Sequence, residues 1–203
     1  MRSFARVFVD VDTQFDFLDP AGALYVPDGV GIHANLGRLT AHAESRGVPV
    51  LSSCCAHAED DPEFQRFPRH CVLDTPGQLK LATTLLRKRT TVPADWPVPR
   101  PDTLLDRFGQ VLLQKHDIDV FTNANLAVIV ENIETPQWIV YGVATDYCVK
   151  AWAEGLLAHR QNVILVEDAI RAVNPSAGVR VMQDLIRRGA KTTTTDQAVQ
   201  VRS

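Results

Sequence analysis

At 203 residues the chain suits one domain with a sizeable core, and residues 1–203 are read as a single domain. With 45% hydrophobic residues, 22% charged residues, a net charge of −3 and a pI near 6.0, it has ordinary globular composition and lacks the basic stripe that polyanion binding needs. Nucleic acid and membrane are therefore not expected partners: no apolar run is long enough to span a bilayer.

The N-terminal apolar run is interrupted by Asp10 and Asp12, so it reads as a first strand over residues 6–11 and not as an export signal. Residues 32–46 carry Ile32, Leu36, Leu39 and Ala43 at helical spacing, and Gly47 ends that helix. A second strand is predicted over 48–52. Residues 54–101 form a long stretch rich in Pro, Asp, His and Arg, read as irregular apart from a short helix contained within 78–87. Its last part, 87–101, reads as a lid or a subunit contact. Strands follow at 111–114, at 138–143 and at 163–166, with helices at 125–133, 148–159 and 176–188 between and after them. An edge strand over 191–195 closes the chain.

Strands alternating with helices indicate a three-layer α/β fold, a doubly wound sheet of about six mostly parallel strands with helices on both faces. In such folds the site lies beyond the carboxyl ends of the strands. Three reactive residues stand there: Asp12 after the first strand, Lys115 after the third, and Cys148 after the strand at 138–143. A base, a cation and a thiol are the set a cysteine acyl-transfer enzyme requires. Cys148 also opens a helix, where backbone N–H groups are expected to lower its pKa and to bind an oxyanion. The bland alternative is a small buried core cysteine. The remaining thiols, Cys54, Cys55 and Cys71, imply a reducing, cytoplasmic setting and a possible metal or redox role. Thr145 and Asp146 are expected to cap the helix after them, Asp16 to anchor the loop after the first strand, and Asp168 to hold a neighbouring loop.

Asp12-Thr-Gln-Phe-Asp-Phe17 and Gly142-Val-Ala-Thr-Asp-Tyr-Cys-Val149 resemble the D-x-Q-x-D-F and G-x-A-T-D-x-C-V segments of the isochorismatase-like cysteine hydrolases, which include nicotinamidase. Residues 23–27 and 166–169 resemble further segments of that family. The resemblance implies a cysteine hydrolase that cleaves a small carboxamide through a thioester, with ammonia released. It implies Asp12 as general base, Lys115 as the cation that orients it, Cys148 as nucleophile, and the backbone N–H groups of Ala144 and Cys148 as oxyanion hole. It also implies a cis peptide before Ala144, a homo-oligomer and no organic cofactor.

In nicotinamidases an Asp-x-His pair and a later His hold a divalent metal beside the triad. Here His57 and His70 match, while Cys55 stands in place of the Asp. Cys, His and His make a legitimate zinc set. Water, or a carboxylate from Glu59, Asp60 or Asp61, is the alternative to Cys55. Phe17, Phe67 and Tyr147 are the candidate pocket aromatics, with core packing as the alternative for Phe17 and Phe67. A carbamoyl, ureido or maleamate-like substrate would call for an arginine, and Arg66, Arg69 and Arg171 are the candidates.

Overall fold

The computed structural model describes residues 2–135 and 137–200. In chain order its principal elements are β1 (Arg2–Ser3), β2 (Val7–Val11), α1 (Phe15–Leu18), α2 (His33–Arg46), β3 (Val50–Cys55), β4 (Arg89–Val92), α3 (Leu104–Arg107) and β5 (Gln110–Lys115). There follow α4 (Ala124–Glu131), β6 (Ile133–Glu134), β7 (Trp138–Val143), α5 (Cys148–Ala158), β8 (Val163–Arg171), α6 (Pro175–Arg187), β9 (Lys191–Thr193) and α7 (Thr195–Gln200). Seven strands form one parallel sheet in the order β4-β5-β3-β2-β7-β8-β9, and β1 pairs with β6 beside it.

The chain starts in the middle of the sheet at β2, builds outward through β3, then returns to the other side of β2 with β7. That reversal opens the crevice of a doubly wound sheet at the carboxyl ends of β2, β3 and β7. One face is covered by α4, α5 and α6, whose Leu126, Trp152 and Leu185 pack in one core with Val9, Val11 and Leu51. The other is covered by α2 and α7, whose Leu36, Leu39 and Ala198 pack with Phe8, Val50 and Tyr141. Alternation along β2 and β3 assigns each residue to its face.

Four stretches differ from the sequence-based expectation. First, β3 continues to Cys55, and all six of its residues are buried. Small polar residues tolerate this because they have partners: Ser52 Oγ donates to Asp10 Oδ2 at 3.1 Å and Ser53 Oγ to Asp12 Oδ1 at 2.6 Å. Second, residues 89–92 are a strand on the sheet edge, where only Val92 is buried and no apolar run betrays it. Third, 78–87 forms no α-helix and holds one 3-10 turn, Ala82–Thr84. Its backbone pairs with the chain after β2 instead: Phe15 N donates to Leu79 O and Leu81 N to Thr13 O, and Gln14 Nε2 donates to Gln78 O. Lys80, between them, reaches inward to Asp10 Oδ2 at 3.1 Å. Fourth, β9 stops at Thr193 and is followed by α7, whose first backbone N–H, at Thr195, donates to Asp168 Oδ1 at 2.7 Å. Asp168 thus holds the neighbouring segment, as its position suggests. The stretch 87–101 divides into the edge strand and a loop carrying Trp96, 69% exposed.

No helix among the described residues is long and apolar enough to cross a membrane.

Candidate active site

Strand alternation carried past the end of β2 would set Asp12 on the same face as Asp10. The backbone prevents it. Asp12 has φ of 46°, a left-handed conformation that a non-glycine residue adopts only where its surroundings compel it. The carboxylate is thereby directed to the α5 side of the sheet, among Ser53, Lys115 and Cys148. Gly142, near the end of β7, lies against Val11: a Cβ on it would collide with Val11 O, and its φ of 113° is one that glycine alone adopts readily. The Val143–Ala144 peptide that follows is cis, as the sequence resemblance implies.

Lys115, with no measurable exposure, sits at the centre of the site. Its Nζ is 3.1 Å from Asp12 Oδ2, 3.5 Å from Cys148 Sγ and 3.1 Å from Cys55 Sγ, and donates to Asp117 O at 2.9 Å. A buried lysine would ordinarily lose its proton; burial does depress it, but Asp12, Cys148 and Cys55 outweigh burial and hold its pKa well above the usual value. Burial pushes the Asp12 carboxyl up, while Lys115 and hydrogen bonds from Ser53 and Cys148 bring it below the usual carboxylate range. Asp12 and Lys115 are therefore an ionised pair.

Cys148 departs from the sequence-based expectation of a lowered thiol pKa. Burial, chiefly, and the neighbouring Asp12 and Cys55 push it well above the usual value, against the opposing effect of Lys115. The physical reason is that a thiolate fully buried here loses its hydration, and the Asp12 carboxylate beside it offsets part of what Lys115 gives back. The resting arrangement is a neutral thiol beside an ionised carboxylate, an arrangement that can serve as a nucleophile with its base. The capping expectation also fails. Asp146 accepts instead from the backbone of Val173 and Asn174, both at 2.9 Å, and Thr145 N–H donates to Arg171 O at 2.8 Å. Tyr147 and Val149 donate to Ala144 O, whereas the N–H groups of Ala144 and Cys148 have no acceptor among the described residues.

Beside this group the ligand atoms of Cys55, His57 and His70 lie within 4.8 Å of one another, and all three residues are buried. Each histidine has one ring nitrogen committed: His57 Nδ1 to Asp61 Oδ2 at 2.9 Å, and His70 Nδ1 to Pro68 O at 2.8 Å. A carbonyl can only accept, so His70 Nδ1 carries the proton and its Nε2 offers a lone pair. His57 Nε2 is buried without a hydrogen-bond partner, 3.6 Å from Glu63 Oε2. Tying the far nitrogen of a ligating histidine to a carboxylate or carbonyl is how metal sites orient their ligands, so the residues present fit a divalent metal. Among the acidic candidates read from sequence, Asp61 serves to orient His57, Glu59 faces Arg69 at 3.7 Å, and Asp60 lines a separate outer cleft. The carboxylate nearest the free histidine nitrogen is Glu63, which sequence reasoning missed. Its only signal is its place six residues after His57.

A small cavity of about 80 Å³ opens onto both groups and is lined by Cys55, Glu63, His70, Lys115 and Cys148 together with Phe17, Phe67 and Tyr147. Phe67 and Tyr147 meet edge to face at 5.8 Å, and Phe17 lies 5.3 Å from the His70 ring. The three arginines do not line it. Arg171 Nε donates to Asp28 at 2.8 Å, Arg66 lies over the Phe67 ring, and Arg69 lies over Phe64. Asp16 anchors its loop, accepting from Cys71 N at 2.7 Å and Ala23 N at 3.0 Å.

The sequence profile of the isochorismatase domain matches residues 6–197. The chain is 28% identical to the nicotinamidase of Escherichia coli (strain K12), over 91% of this chain and 92% of that protein. Its fold is similar to the pyrazinamidase of Pyrococcus horikoshii in complex with zinc, with a TM-score of 0.74 and 26% identity over 94% of this chain and 99% of that one. The N-carbamoylsarcosine amidase of Thermoplasma acidophilum shares the fold at a TM-score of 0.70 and 22% identity, over 95% and 98% of the two chains.

Proposed function

The chain belongs to the isochorismatase family, and on that footing we propose that it hydrolyses a small neutral carboxamide of the nicotinamide type with Asp12, Lys115 and Cys148 as its catalytic residues. The observation that carries this reading is the single ammonium of Lys115, 3.1 Å from an ionised carboxylate and 3.5 Å from a thiol. Asp12 takes the Cys148 proton as the sulfur attacks the amide carbon. The oxyanion is received by the unengaged N–H groups of Ala144 and Cys148. Asp12 returns the proton to the leaving nitrogen, ammonia departs, and a thioester remains. Water, deprotonated by Asp12, hydrolyses it to the carboxylic acid and restores the thiol. Lys115 stays charged throughout and keeps Asp12 able to accept a proton.

A divalent metal, zinc by the character of the donors, would be held by Cys55, His57 and His70 with Glu63 adjacent. Bound there it would supply a Lewis-acidic contact at the cavity wall for a ring nitrogen or a water. The aromatic lining of Phe17, Phe67 and Tyr147 suits a flat ring. An anionic carbamoyl, ureido or maleamate-like substrate fits less well: among the described residues lining the cavity, Lys115 is the one permanent cation, and Asp12 engages it.

The test is ammonia release from a panel of neutral and anionic amides, nicotinamide and pyrazinamide included, by wild type and Cys148→Ala. Release from a neutral aromatic amide that vanishes in the variant supports the proposal. Preference for a carbamoyl or ureido acid would reject the neutral-amide reading, and release that survives Cys148→Ala would reject the thiol mechanism.

A further inference from the structure

We infer that Ser53 and Trp152 form a buried relay that positions Asp12, so that the helix carrying the nucleophile also orients the base that deprotonates it. The inference rests on the proposed roles of Asp12 and Cys148. Trp152 Nε1 donates to Ser53 Oγ at 3.0 Å, and Ser53 Oγ donates to Asp12 Oδ1 at 2.6 Å. Trp152 and Ser53 have no measurable exposure and Asp12 is 1% exposed, so no water competes for these bonds.

The direction of the relay is fixed by chemistry. An indole nitrogen donates and cannot accept, and a hydroxyl has a single proton. With Trp152 donating to it, the Ser53 oxygen has its proton free for Asp12, and the short distance marks a charge-assisted bond. The relay therefore occupies Oδ1. Oδ2 pairs with Lys115 Nζ at 3.1 Å, and with Oδ1 taken by Ser53 it is the oxygen left to accept the Cys148 proton. The geometry also couples two elements. Trp152 lies four residues after Cys148 in α5, on the same helix face, while Ser53 belongs to β3. A shift of α5 that displaced the thiol would also pull the indole from Ser53. Neither residue touches the cavity, so both are positioning residues.

The experiment uses the full chain with Ser53→Ala, Trp152→Phe and the double variant, each checked by thermal unfolding. The other ionisable groups whose charges reach Asp12 are Lys115 from β5, Cys148 from α5, and the thiols of Cys54 and Cys71; neither substitution alters them. Ser53→Ala is expected to lower kcat about ten- to a hundredfold, the worth of one hydrogen bond to a charged group, with KM nearly unchanged. The acid limb of kcat/KM should move to higher pH, because the carboxylate loses a bond that favours its charged form. Trp152→Phe should lower kcat several-fold, and the double variant should be no slower than Ser53→Ala alone. An unchanged kcat and acid limb in Ser53→Ala would overturn the relay, even with a lowered unfolding temperature. So would penalties that simply multiply in the double variant. If no amide is turned over by wild type, the functional reading fails and the relay is read separately, from the rate at which iodoacetamide alkylates Cys148 across pH. A displaced pH profile of alkylation in Ser53→Ala then supports it, and a profile unchanged from wild type rejects it.

Discussion

Replacing Lys115 by methionine keeps most of the side-chain volume and removes the charge together with the hydrogen bond to Asp117 O. The Asp12–Lys115 pair, 3.1 Å apart and fully buried, interacts by about 5 kcal/mol at an effective dielectric of ~20. Removing one partner of such a pair leaves a buried charge uncompensated, at a cost of about 3–5 kcal/mol. For a chain of this size that lowers Tm by about 6–20 °C. The pH dependence distinguishes this cause from mere loss of packing. In wild type the Asp12 carboxyl lies below its ordinary value, so its stabilising contribution is present above the unfolded-state pKa and is lost as pH falls through the folded value. Lys115 lies above its ordinary value, so its contribution is present below the unfolded-state pKa and is lost only as pH rises through the folded one. In Lys115→Met, burial acts on Asp12 opposed only by the Ser53 and Cys148 hydrogen bonds and raises it relative to wild type, so the protonated acid is better tolerated. The gap in Tm between wild type and variant should thus be widest near pH 8 and narrow as pH falls towards 5. Ammonia release at neutral pH should fall about 10²–10⁴-fold, the usual worth of a positioned base. Thermal unfolding by circular dichroism across pH is the assay, and a gap that is constant from pH 5 to pH 8 would refute the reasoning.

Cys55→Asp should shift metal preference from zinc towards manganese or magnesium, measured by competitive metal loading, and should abolish the thiolate-to-metal charge-transfer band of the cobalt-substituted protein. His57→Ala and His70→Ala should each lower zinc stoichiometry; full occupancy in both would remove these residues from the site. Gly142→Ala should destabilise the fold by about 2–4 kcal/mol, since a Cβ meets Val11 O and φ is 113°. Urea unfolding at the wild-type midpoint would contradict this close packing of β7 on β2. Arg171→Ala should leave KM for a neutral amide within about twofold, because its guanidinium is engaged by Asp28 outside the cavity.

The parts of the site carried by strand ends were legible in the sequence. A β-branched run stops at a reactive residue, and parallel order brings Asp12, Lys115 and Cys148 to one edge of the sheet. What escaped is whatever depends on partners distant in the chain. Residues 78–87 have helix-compatible composition, but their backbone groups are claimed by the segment after β2 and by Gln14. Ser53 looks like the start of a loop, after a strand ending at Ser52, until Asp12 is seen to receive its hydroxyl proton. Trp152 reads as core packing, because periodicity reports which face of a helix is buried and not whether its one N–H finds a serine. Glu63 carries no motif, and its nearness to His57 comes from the fold of the 57–72 loop. The raised Cys148 pKa escapes sequence reading because a helix terminus is visible there while the complete burial of the thiol is not.

Asp10 and Asp12, two residues apart, serve opposite faces of the sheet: Asp10 meets Lys80, Ser52 and Thr13, and Asp12 meets Lys115, Ser53 and Cys148. A central strand usually has its register set by which apolar side chains fit which layer. Here each layer also holds a cation at one fixed position. A slip of β2 by a single residue would drive both carboxylates away from their lysines and into apolar packing, and a slip by two would give one layer's acid to the other's vacancy. Deletions or insertions within residues 7–12 should therefore be far less tolerated than apolar substitutions there. The strand is keyed by charge at both faces, and its reading frame is protected by the same pair of acids of which one is available for chemistry.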